Sequence, residues 1–144
     1  MVSFPLEFEI EVTAEPGISA PWRGKAADLD EIECSIPTEF GGPGKTYSPE
    51  DLFALSIVNC IVATFKVYAE KAGLTFKSLS AKAKLKMDRD ASTGTLSLPD
   101  IHIAINISGA SDVDRVRKTL DTAISHCAVS NSAKSGKNFT IEVK

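Results

Sequence analysis

An excess of basic charge, a CxxC pair and an unbroken apolar run of membrane-spanning length are all missing from this sequence. Sixteen lysines and arginines face nineteen aspartates and glutamates, a net charge of −3, which leaves no positive field to recruit nucleic acid. Asp51, Asn59, Lys66 and Glu70 interrupt the greasiest segment, so no bilayer partner is expected. The opening "MVSFPLEFEIEV" has neither a positively charged start nor the pattern of a secretion signal, and a cytoplasmic location is expected. Without CxxC there is neither a zinc ribbon nor a thioredoxin-type motif. The three cysteines, Cys34, Cys60 and Cys127, are an odd count, which argues against a structural disulfide framework in a reducing compartment. No internal repeat or low-complexity linker divides the chain.

What remains is an ordinary globular composition, 43% hydrophobic and 24% charged over 144 residues, enough for one domain spanning 1–144 with a sizeable core. "LEFEIEV" (Leu6–Val12) sets Phe8, Ile10 and Val12 against Glu7, Glu9 and Glu11, the alternation of a half-buried strand. "AEPGISAPWRGK" is a loop by its Pro and Gly content. "EIECSI" (Glu31–Ile36) alternates again, with Cys34 between Ile32 and Ile36 as core packing, and "PTEFGGPGKTYSP" is a second loop.

A long helix follows. Ser48 is its N-cap, Pro49 fits the first turn, and Glu50 and Asp51 complement the helix dipole. It should run to about Ala72, with Gly73 as the stop. Apolar residues occur nearly all round it, and a helix greasy on every side must be covered on every side. One sheet covers one face, so a second subunit is the expected source of the rest. Leu79, Ala81, Ala83, Leu85 and Met87 then alternate with lysines and serines in a strand, "RDASTG" turns the chain, and Ile101, Ile103, Ile105 and Ile107 mark the returning strand. Pro99 suggests an edge or a bulge there. Ser111 is expected to cap a second helix with Val113, Val116, Leu120, Ala123 and Ile124 on its inner face. "VSNSAK" reads as a short helical turn and "FTIEV" as the last strand. The order β-β-α-β-β-α-β with antiparallel hairpins gives an α+β domain.

Two stretches could carry chemistry. Cys60 sits mid-helix in "SIVNCIVAT", where a reduced cysteine can be mere apolar filler. Cys127 lies at a helix end in "HCAVSNSAKS", where backbone N–H groups would stabilise its thiolate, lower its pKa and make it more reactive than a cysteine in a strand. His102 and His126 were natural suspects for a metal, but adjacent residues near a helix end point apart, so no metal site is expected. The row Lys82, Lys84, Lys86 is the solvated face of a strand.

"PEDLFALSIVNC", preceded by "FGGPGKTYSPEDLF" and followed much later by "HCAVSNS", resembles the OsmC/Ohr family of thiol peroxidases, and the likeness covers most of the chain. It implies an intertwined α+β homodimer with antiparallel sheets around two long central helices. It also implies that Cys60 attacks an organic hydroperoxide, that Cys127 resolves the sulfenic acid as a disulfide, that an external dithiol recycles it, and that no cofactor is needed. An arginine oriented by the glutamate after the proline would activate Cys60 in such a protein. Here those residues are Arg23 and Glu50, with Lys25 as a substitute cation. Glu50 and Cys60 lie ten residues apart, about 15 Å along a helix, so the carboxylate serving one Cys60 must come from the other subunit. A non-enzymatic dimer binding a small hydrophobic ligand and a cysteine redox sensor stand as alternatives.

Overall fold

Alternating and helical periodicities resolve, in a computed structural model describing residues 2–144, into six strands and three helices. In chain order these are β1 (Ile10–Thr13), β2 (Trp22–Ala26), β3 (Ile32–Cys34), α1 (Pro49–Lys71), β4 (Ser78–Arg89), β5 (Leu96–Ser108), α2 (Val113–His126), α3 (Ala128–Ser132) and β6 (Gly136–Val143). They fall into two compact units, one ending at Leu52 and one beginning at Phe53. The fold is α+β with two three-stranded sheets.

In the first unit β1, β2 and β3 form an antiparallel meander, with Ile10 opposite Ala26 and Trp22 opposite Cys34. The expected strand Leu6–Val12 starts four residues late. Beyond Ala26 the backbone of Ala27 turns to a positive φ, so Leu6–Phe8 has no strand to pair with. The inward face expected for that strand is also open: Phe8 is 87% exposed and Ile10 is 74%. β3 is likewise shorter than Glu31–Ile36, although Cys34 is buried as expected. The following loop is tied down by Ser35, whose N–H donates to the Tyr47 carbonyl (3.1 Å) and whose hydroxyl donates to the Gly44 carbonyl (3.2 Å) while accepting from Thr46 (2.7 Å). Gly42 is packed so closely that a Cβ would lie 1.9 Å from the Ile36 carbonyl oxygen.

α1 begins with a reciprocal cap: the Ser48 hydroxyl accepts from the Asp51 N–H (3.1 Å) and the Asp51 carboxylate from the Ser48 N–H (2.9 Å). It ends in a Schellman turn, Leu74 N–H to Ala69 and left-handed Gly73 N–H to Glu70, as the glycine promised. By length and hydropathy α1 is sufficient to cross a membrane, against the expectation that no segment would be. Its charges sit near the ends and leave the middle apolar. Within the chain it buries one narrow stripe, Ile57, Ile61, Phe65 and Ala69, four residues apart and so on one side of the helix. Leu55 and Val67 on other sides stay exposed.

That stripe meets Ile101, Ile103, Ile105 and Ile107 of β5 and Val116, Leu120 and Ala123 of α2, which together form the core of the second unit. β5 is the central strand, antiparallel to β4, and Pro99 falls at the β-bulge where the β4–β5 register slips, not at an edge. β6 corrects the all-antiparallel expectation: it runs parallel to β5, because the α2–α3 crossover returns the chain to the same end of the sheet. The α2 cap is Asp112, which accepts from the Arg115 N–H at 3.0 Å. Ser111 instead accepts from the Thr75 N–H (3.1 Å), tying the start of α2 to the segment after α1.

Candidate active site

The α2–α3 junction is a sharp corner, and Cys127 is the corner residue. It ends α2 in an extended conformation and caps α3, its sulfur accepting from the Ser130 N–H at 3.4 Å. The Asn131 side chain, donating to the Ser125 carbonyl at 2.9 Å, closes the corner from outside. Cys127 is fully buried. On α1, Cys60 is only half-buried and neighbours this corner closely enough for it and Cys127 to shift each other's acidity. All three cysteines are reduced.

The two sulfurs are held in opposite electrostatic states. Burial by itself raises the Cys60 thiol. Hydrogen bonds from the Cys127 side chain, the Val129 N–H, the Thr64 hydroxyl and the Ser130 N–H outweigh it and bring Cys60 below the ordinary thiol range. Burial, reinforced by the bond to Cys60, pushes Cys127 up to about 11. A thiol raised in this way stays protonated at neutral pH. The expectation that the N–H groups at the helix end would lower the Cys127 thiol is overturned: those donors are present, but desolvation of the fully buried sulfur outweighs them.

Beside the pair lies an open pocket of about 390 Å³, lined mostly by apolar groups of Phe53, Ile57, Ala128, Val129 and Ala133. Val129 both lines this pocket and helps lower Cys60, while neither cysteine is itself among the lining residues. Its size and lining suit a small ligand with an apolar body.

The other expected site residues are placed as follows. One carboxylate oxygen of Glu50, Oε2, is buried and has no hydrogen-bond partner among the described residues. A desolvated carboxylate oxygen without a donor is costly, so this group asks for a cation or donor. Arg23 is on β2, 60% exposed, and pairs with Glu33 opposite it (3.5 Å) and with Glu31 (3.9 Å). Lys25, the substitute, pairs with Glu11 at 3.2 Å. His102 bonds the Thr140 hydroxyl and His126 the Tyr68 hydroxyl, each at 3.0 Å. The residue missed by sequence reasoning is Thr64. Its signal was available, since Thr64 follows Cys60 by four residues in "CIVAT", one helical turn on the same side.

A family model described as OsmC-like protein matches residues 42–142, a stretch that holds Glu50, Cys60 and Cys127 but not Arg23. The chain belongs to the OsmC-like family. An OsmC-like protein of unknown function from Vibrio cholerae superposes with a TM-score of 0.83 at 18% identity, covering 95% of this chain and 99% of that one. An organic hydroperoxide resistance protein from Legionella pneumophila does so with 0.73 at 18% identity, covering 97% and 99%. An uncharacterized protein of Acinetobacter baylyi is 22% identical over 147 residues, 94% of each chain. At these identities the likeness to the solved structures establishes the shared OsmC-like fold.

Proposed function

We propose that this OsmC-like protein is a cytoplasmic, thiol-dependent peroxidase that reduces organic hydroperoxides to alcohols, residues 1–144 acting as one domain within a homodimer. The observation that carries the reading is the opposition of the two neighbouring sulfurs: the half-buried Cys60 is lowered, while the fully buried Cys127 is raised. An attacking sulfur must be accessible and ionised, and a resolving sulfur must stay protonated until it is needed. Membership of a family whose structural relatives include organic hydroperoxide resistance proteins points the same way.

The chemistry then runs in three balanced steps. The Cys60 thiolate attacks the distal oxygen of ROOH, the O–O bond breaks, and ROH departs with one added proton, leaving Cys60 as sulfenic acid. The Cys127 sulfur displaces that hydroxyl, forming the Cys60–Cys127 disulfide and water. A dithiol reductant exchanges with the disulfide, is itself oxidised, and returns both thiols. The apolar pocket beside the pair favours an alkyl chain over hydrogen peroxide.

Glu50 and Arg23 complete the proposal. The orphaned Oε2 of Glu50 is a ready acceptor for a guanidinium that orients over a second copy's Cys60. Arg23 is the proposed cation. Its ties to Glu31 and Glu33 are exposed pairs worth about 0–1 kcal/mol, weak enough to exchange for a desolvated carboxylate. The open faces of α1 and β1 support the second copy.

Purified protein with a dithiol should consume an organic hydroperoxide; Cys60→Ser should abolish turnover, and Cys127→Ser should stop at a single oxidation. Retention of full turnover by Cys60→Ser sinks the mechanism. One observation favours a second reading. A groove of about 480 Å³ in the first unit, lined by Ile10, Val12, Trp22, Leu29 and Ile32, suits a small hydrophobic ligand. That reading expects ligand-dependent thermal stabilisation unchanged in the Cys60→Ser, Cys127→Ser double variant, with no peroxide consumed.

A further inference from the structure

The atom that caps a helix start is normally an oxygen, from Ser, Thr, Asp or Asn. At α3 it is a sulfur, a weaker acceptor: Cys127 Sγ takes the Ser130 N–H at 3.4 Å. One atom is therefore both the fastener of a helix and the resolving group of the proposed reaction.

α3 is five residues long, too short to persist on its own propensity. Its later half has other ties. The Asn131 side chain donates to the Ser125 carbonyl at 2.9 Å, and the Lys137 ammonium donates to the Ala133 carbonyl where the helix ends. Its first turn relies on the sulfur. Ser130 is only 3% exposed, so an N–H released there finds no water in place. A buried N–H without a partner is costly enough that the backbone opens to solvent instead. The turn also has a use, because Ala128 and Val129 line the apolar pocket together with Phe53 and Ile57 of α1.

We propose that the Cys127 sulfur is a redox-dependent fastener of the pocket wall. As a thiol it caps α3 and holds Ala128 and Val129 in place. In a disulfide, the covalent bond to Cys60 dictates where that sulfur sits, the Ser130 N–H loses its acceptor, and the first turn of α3 loosens while the Asn131 end stays tied. Reduction returns the thiol and re-forms the cap. The wall is firm in the state that takes a substrate and loose in the state that has used one.

This inference rests on the Cys60–Cys127 pairing proposed above, but its test needs no peroxide. Diamide takes two electrons and two protons from the thiol pair and becomes a hydrazine, leaving the disulfide, which peptide mass spectrometry verifies. Backbone amide exchange is then followed residue by residue by NMR on the full chain. The Ser130 amide should exchange about fivefold faster in the disulfide form, the scale of one lost hydrogen bond. Val116 and Leu120, in the core of α2, should be unchanged. Reduced Cys127→Ala should show the same acceleration with no oxidant. Cys127→Ser, whose hydroxyl is the stronger cap, should keep Ser130 protected with or without diamide. The comparison of the two wild-type states still decides should Cys127→Ala fail to fold. Equal protection of Ser130 in both states, acceleration spread equally over α2, or failure of diamide to link the two cysteines overturns the proposal. Wild type that loosens α3 on oxidation yet consumes no hydroperoxide would count against the peroxidase reading alone.

Discussion

The two units of this protein carry the same kind of sequence and meet opposite fates. In the second, alternating isoleucines at 101, 103, 105 and 107 lie under α1 and α2, all at or below 2% exposure. In the first, Ile10 and Val12 alternate with glutamates just as regularly and lie open. Alternation states that a face wants cover; it does not say who provides it. The second unit finds its cover within the chain. The first has three exposed hydrophobic strand residues, Ile10, Val12 and Ile32, a groove lined by Trp22 and Leu29, and an orphaned carboxylate oxygen on Glu50. These are the features that the proposed second copy would cover.

The sharpest way to break the contrast is to delete one large side chain from each side. Phe65 is fully buried and stacks near Phe76, ring centroids 5.4 Å apart. Phe65→Ala should cost about 3–5 kcal/mol by urea unfolding at any protein concentration. Ile10→Ala should cost under about 0.5 kcal/mol in dilute protein, as expected of an exposed side chain, and clearly more at high concentration if a second copy covers β1. Equal costs at every dilution would end the contrast.

A smaller effect tests the loop that leads from the open sheet to α1. Gly42 lies against the Ile36 carbonyl, where a new Cβ would sit at 1.9 Å, so backbone and not a side-chain tip has to move. Gly42→Ala should cost about 1–3 kcal/mol, the range for overpacking. Its reach should be local: near-wild-type alkylation of Cys60 alongside a lowered melting temperature. Loss of Cys60 reactivity in step with stability would show that the loop and the thiol site are one cooperative piece.

Where the sequence was legible, the deciding physics was short-range. The α1 cap is written in Ser48 and Asp51, its stop in Gly73, and the β5 core in four isoleucines. The errors arose where a distant group decided. β6 runs parallel because of a crossover that the motif "FTIEV" cannot encode. Ser111 lost the α2 cap to Asp112 because its hydroxyl had a partner at Thr75, more than thirty residues away. The two cysteines were legible as candidates, since their context resembled a known family, but the acidity of Cys127 was not. Local reasoning saw the N–H groups at Cys127 and missed that complete burial would overrule them, while half-buried Cys60 collected the same donors across the fold. Desolvation is a property of the finished core, and no window of sequence contains it.

The smallest expected effect lies in the turn between β4 and β5. Asp90 accepts from the N–H groups of Ser92 (2.8 Å) and Thr93 (2.9 Å) and from both hydroxyls. The Ser92 hydroxyl leads these bonds in holding the carboxyl down at about 2. A carboxyl depressed in the folded state stabilises it above the unfolded value of about 3.9, and that contribution drains away as pH falls through about 2. Asp90→Asn keeps an acceptor and loses the charge. The melting temperature of wild type minus that of the variant should therefore be small, positive and flat above pH ~5, and should shrink toward pH 2. A difference that stays flat to pH 2 would place the turn's stability in its backbone geometry alone, with the charge contributing nothing.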